Sequence, residues 1–130
     1  MTCRTPQAIA QGQLAAASNV NDRVITQCEL SQRERFLAAI NTAGNIAEIA
    51  RTGLIDDRLK LQEMERFNRS LSQAEVQQEL QQFAARGGLS LDEFVQMLAS
   101  NGVELRSFIE YVSIGVMWRD FIRARYNREI

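Results

Sequence analysis

Apolar residues recur along most of this chain at the three- and four-residue spacing of amphipathic helices, and several of these runs open at a polar capping position. The first stretch is different. Leu14 to Val20 is small and apolar, Asn21-Asp22 follows, and Arg23-Val24-Ile25-Thr26 resumes the apolar character. Two short runs about an Asn-Asp pair predict a β-hairpin, because those residues tolerate a turn's left-handed backbone. Thr26-Gln27-Cys28-Glu29 is a capping box. In such a box the threonine hydroxyl accepts from a first-turn amide and the glutamate reaches back to the cap. The helix it opens runs to about Ile40 on Leu30, Phe36, Leu37 and Ile40, and Asn41 to Asn45 ends it.

A second helix is predicted from about Ile46 to Phe67, with Ile46, Ile49, Leu54, Ile55, Leu59, Leu61 and Met64 as its stripe. Gly53 inside it costs about 1 kcal/mol against alanine, which leaves a break near Arg51 to Gly53 open. Ser72 to Glu75 is a second capping box and opens a third helix on Val76, Leu80 and Phe83, closed by Gly87-Gly88. Ser90 to Glu93 is a third box. It starts a short helix with Phe94, Met97 and Leu98 inward, ended by Asn101-Gly102. The last helix runs from about Glu104 to Asn127 or beyond, with Leu105, Phe108, Ile109, Val112, Val116, Phe121 and Ile122 on its core face. The expected fold is therefore mainly α: five helices behind a short N-terminal β-hairpin. The helical domain is expected over 14–130, with 1–13 a disordered leader or the remnant of an export signal.

Within the last helix, Tyr111 to Trp118 is apolar nearly all the way round. A helix greasy on every side must be covered on every side. This one lies near the end of the chain, where little remains to cover it, so an uncovered apolar surface is expected there. Flexible methionines and flat rings suit adaptable binding of another polypeptide. The candidate peptide-binding surface is Phe36, Phe94, Met97, Phe108, Tyr111, Val112, Met117, Trp118 and Phe121, read as an apolar cradle of the first, fourth and fifth helices. Taken singly, each of these residues also reads as ordinary core.

Composition narrows the chemistry. Hydrophobic residues at 45% and charged residues at 24% are globular values, and a chain of this length buries roughly two thirds of its unfolded surface. There is no histidine, which removes Ser-His and Cys-His pairs and the commonest metal ligand. Two separated cysteines cannot make a four-ligand zinc site, and no Gly-rich phosphate loop is present. No cofactor, no metal and no catalytic residue is expected. Asp56-Asp57 and Asp92-Glu93 are adjacent carboxylates that point apart on a helix, and both pairs read as first-turn or solvated charge.

Net charge is -1 and Lys60 is the single lysine, so no overall field attracts nucleic acid. Arg119, Arg123, Arg125 and Arg128 cluster on the last helix, but Asp120 and Glu129 interrupt them, and cations are favoured near a helix C-terminus in any case. Nucleic acid is accordingly set aside as a partner. No apolar run approaches the ~20 residues of a membrane span. Ala8-Ile9-Ala10 has the A-x-A form of a signal-peptidase site without the regions that should precede it. Pairing of Cys3 with Cys28 is left open.

Three runs resemble a known family. Val20-Asn21-Asp22-Arg23-Val24-Ile25-Thr26-Gln27-Cys28-Glu29-Leu30 is similar to the hairpin and first-helix start of SurA-type periplasmic chaperones, "V-N-x-x-V-I-T-x-x-E/D-L". Leu54 to Glu63 resembles the family's "L-I-D-x-x-L-x-x-Q/E" run, and Val76 to Ser107 its third block, with Leu91, Phe94, Leu98, Gly102 and Phe108 in register. The likeness covers about Val20 to Ile130. It implies a SurA N-terminal-like domain, an ATP-independent holdase for unfolded outer-membrane proteins in the periplasm. SurA-type proteins commonly carry parvulin peptidyl-prolyl isomerase domains after this region. This sequence stops about where the first would begin and has no histidine, so isomerase activity is not carried over. The alternatives are a helical dimerisation or scaffold module for one specific partner, or the non-catalytic part of a parvulin-type isomerase. A homodimer or a dimer that exchanges elements is also expected, because the apolar stretch from Tyr111 to Trp118 asks for cover.

Overall fold

The structure is a computed structural model that describes residues 16–20, 23–67 and 71–129. Strands β1 (Ala16–Val20) and β2 (Arg23–Thr26) pair antiparallel, with Val20 opposite Arg23 and an irregularity between Ala16 and Ser18. The Asn21-Asp22 turn and the leader over 1–13 lie outside the described residues. Thr26 ends β2 and at once caps α1 (Gln27–Ala39): the Glu29 amide donates to its hydroxyl at 3.1 Å, and its own amide donates to the Glu29 carboxylate at 3.3 Å. Cys28, in the first turn of α1, is disulfide-bonded, while Cys3 lies outside the described residues.

Each helix end follows from local chemistry. After α1 the chain turns through Asn41 at φ 60, one of the few non-glycine residues that visit that region readily, and the Thr42 amide donates to the Leu37 carbonyl at 3.0 Å. Asn45 then caps α2 (Ile46–Glu65), accepting from the Glu48 amide. Ser72 and Ser90 cap α3 (Gln73–Arg86) and α4 (Leu91–Ser100) with complete capping boxes. Gly88 and Gly102, both at positive φ, close α3 and α4 by the same wrap: Leu89 donates to the Ala84 carbonyl, and Val103 to the Leu98 carbonyl. Helix α5 (Leu105–Glu129) is about 37 Å long.

Helix α2 runs unbroken through Gly53, so the break left open there does not occur. The glycine answers a packing demand, since a Cβ at this position would stand 3.0 Å from a guanidinium nitrogen of Arg33 on α1.

Helix α5 is the axis of the molecule, with α1, α2, α3 and α4 all packed on it. The main core joins Phe36 and Leu37 of α1, Ala50 of α2, Leu80 and Ala84 of α3, Phe94 and Leu98 of α4, and Phe108, Val112 and Val116 of α5. Ala50 and Ala84 are wholly buried, and alanine there lets neighbouring helices approach closely. The rings of Phe36, Phe83, Phe94 and Phe108 sit 5.0 to 6.2 Å apart, a spacing that adds to burial alone. A smaller cluster of Met64, Ile114 and Phe121 joins α2 to the far half of α5, and Ile25 of β2 packs on Leu54.

This arrangement overturns the expected bare stretch. Of Tyr111 to Trp118, Val112, Ile114 and Val116 are buried, Tyr111, Ser113, Met117 and Trp118 are half-buried, and Gly115 alone is exposed. The reason is spatial: a helix late in the sequence is central in the fold, and its neighbours cover it on several sides. The large apolar residues left exposed are elsewhere, at Ile49, Leu59, Phe67, Leu105, Ile122 and Tyr126.

Candidate functional site

Two polar residues on α1 fall where an apolar one is expected. Gln32 and Arg33 precede Phe36 by four and three positions, on the buried face of the helix, and are 3% and 9% exposed. Each is satisfied across space. Gln32 accepts from the Glu104 amide and the Ser107 hydroxyl, both at 2.9 Å, and donates to the Gly102 carbonyl at 2.9 Å. Arg33 reaches Asp57 of α2 at 2.6 Å, and its guanidinium carbon lies 4.9 Å from the centre of the Tyr111 ring on α5. Beside it Arg58 of α2 pairs with Glu29 of α1.

These groups form the polar floor of a cleft of 510 Å³ between α1, α2 and α5. Its apolar walls include Leu54 and Leu61 from α2, and Ile109, Ile114 and Met117 from α5. Arg106 and Glu110 stand at the rim, where the Glu110 carboxylate, by hydrogen bond and then by charge, holds the Arg106 guanidinium above its usual range. Among the described residues no buried side-chain polar atom lacks a partner. The floor is therefore internally paired and asks nothing of a ligand.

The cleft revises the expected cradle of the first, fourth and fifth helices, because α2 takes the place of α4. It also revises the surface assigned from sequence. Phe36, Phe94, Phe108, Val112 and Phe121 are core residues at 7% exposure or less, because each points into the shared interior around α5. Met97, Tyr111, Met117 and Trp118 are half-buried. Only Phe36 and Met117 of the nine line the cleft. Tyr111 and Val112 border a shallower groove between α3 and α5, and Trp118 another beside α2.

Asp57, read as solvated charge, is instead half of a largely buried ion pair, while Asp56 pairs with Lys60 at 2.9 Å nearer the surface. Glu93 keeps its first-turn role: the Ser90 amide and then the Ser90 hydroxyl hold its carboxyl below the usual range. Arg119 pairs with Glu79 and Asp120, and Arg125 with Glu63, so these cations are engaged with carboxylates of the same chain. The sequence signal for the floor was its position: Gln32 and Arg33 share a face with Phe36 and Leu37. Among the described residues no cluster of acidic, cysteine or histidine side chains could hold a metal ion, and no helix is long and apolar enough to cross a membrane.

No family model, curated protein or solved structure matches this chain.

Proposed function

We propose that this chain is a polypeptide-holding domain of the SurA type, which docks unfolded segments in the cleft between α1, α2 and α5 without catalysis or ATP. The observation that carries the reading is a polar floor already paired with itself between apolar walls. A cleft whose charges are neutralised internally can stand open without orphaned groups, and it imposes no polar match on what enters. Apolar side chains of a client would displace water from Ile109, Leu61 and Met117 while its main chain keeps its bonds to solvent. Such contacts give weak and broad affinity.

A further fact supports it. The first two SurA-like runs meet in space, through Ile25 on Leu54 and through Glu29 with Arg58.

A light-scattering assay with several unfolded outer-membrane proteins and one unrelated client tests the proposal. The chain is expected to suppress aggregation of all of them, and Ile109→Glu and Met117→Glu to lose that effect while still melting cooperatively. Failure of the unaltered chain with every client would refute the holding function. Suppression untouched by either substitution would refute the cleft.

A further inference from the structure

Asn101 is the one asparagine in this chain that is followed by glycine. That pair has a chemistry of its own. The Gly102 amide nitrogen, unhindered by a side chain, can attack Cγ of Asn101. A bond forms between the two atoms, the bond from Cγ to Nδ2 breaks, and the side-chain nitrogen leaves as ammonia with the proton of the Gly102 amide. Water then opens the cyclic imide at either carbonyl and leaves an aspartate or an isoaspartate. Both residues are exposed, so water reaches them.

The fold holds each part of this reaction still. Asn101 is the C-cap of α4 at φ -98 and ψ 11. Tetrahedral geometry at Cα then puts the Gly102 nitrogen far out of the plane it must share with Cβ to close the ring. The attacking nitrogen donates to the Ala99 carbonyl at 3.0 Å, and the departing one to the Met97 carbonyl at 2.8 Å. From α1, Gln32 and Arg35 donate to the Gly102 carbonyl at 2.9 and 3.3 Å. Attack must wait for release of this turn, an opening smaller than unfolding of the chain.

The damage would reach past the turn. Isoaspartate adds a methylene to the main chain between Leu98 and Val103, whose carbonyl and amide close the wrap at 2.9 Å. Either acid loses the donor to Met97 and sets a negative charge at the negative end of the α4 dipole. Gln32 also accepts from the Glu104 amide at the start of α5, so a displaced Gly102 disturbs that bond too.

We propose that Asn101 is a deamidation site guarded by the Gly102 turn, and that its conversion loosens the joint between α4 and α5. The chemistry is the same whether or not the cleft holds a polypeptide.

Mass-spectrometric peptide mapping of the full chain, aged at mildly alkaline pH, tests the proposal. Unfolded in guanidinium chloride, Asn101 should convert before any other asparagine. In the folded chain it should convert more slowly by about tenfold or more. Gln32→Leu should speed the folded rate by roughly fivefold, the worth of one hydrogen bond. Met64→Ala, in the separate cluster with Ile114 and Phe121, should leave that rate unchanged. The converted chain, separated by its added charge, should melt at a lower temperature than the unconverted one. Equal rates folded and unfolded, another asparagine converting first, or acceleration no greater in Gln32→Leu than in Met64→Ala would overturn the guarded site. An unchanged melting temperature after conversion would overturn the loosened joint.

Discussion

Replacement of Gln32 by leucine is the sharpest test of how α5 is held. Three of the helices open with a glutamate at the third position that answers the cap's own amide. Helix α5 has Ser107 there, and the Glu104 amide instead donates to Gln32, 72 residues away. In Gln32→Leu that amide loses this acceptor in a part-buried setting, which costs about 1–3 kcal/mol. The bond to the Gly102 carbonyl is worth about 1 kcal/mol more, partly kept by Arg35, which donates to the same oxygen at 3.3 Å. The sum is about 2–4 kcal/mol out of the roughly 5–15 kcal/mol that holds a domain together. At about 4 °C per kcal/mol for a chain of this size, the melting temperature should fall by about 8–16 °C. Urea unfolding followed by circular dichroism reads the change directly. Gln32→Glu keeps the acceptor and should lose less than Gln32→Leu. A loss under about 0.5 kcal/mol for Gln32→Leu, the scatter of ordinary surface substitutions, would refute cross-chain capping of α5.

Asp57→Asn leaves Arg33 charged and largely buried, and urea unfolding should show a loss of about 3–5 kcal/mol. Replacing both partners, as Arg33→Met with Asp57→Leu, should recover most of it. Gly53→Ala gains helix propensity but drives a Cβ against the Arg33 guanidinium, whose pairing with Asp57 resists displacement. Thermal melting should therefore show a lowered transition despite the better helix former. Glu93 has its folded-state pKa lowered by Ser90, so its contribution is present above the unfolded pKa and disappears as pH falls through the folded one. Unfolding measured across the acid range should show less loss of stability on acidification for Glu93→Gln than for the unaltered chain.

What the sequence made legible is what is local. Thr26, Ser72 and Ser90 each hold their answering glutamate three residues on, so the boxes and the helices behind them could be read directly. The hairpin followed from two apolar runs around one polar pair. Gln32, Arg33 and Asp57 were not legible as a site because each finds its partner on another element. Periodicity marks a buried position without saying that a polar group there will be satisfied. Tyr111 to Trp118 failed for a related reason. Its greasiness was plain, but how many neighbours a helix has depends on where the chain returns, and α5 returns to the centre. The cleft's third wall was missed alongside, since nothing near Leu61 announces that α2 rather than α4 stands beside Met117.

Thr26 belongs to two elements at once, the last residue of β2 and the cap of α1. No spare residue between them can act as a hinge. Swinging the hairpin outward would strip α1 of its cap and pull Ile25 from Leu54, so the strands and the helix must move as one lever. Trading that hairpin with a neighbouring molecule would require melting the first turn of α1, a slow event compared with simple side-by-side contact.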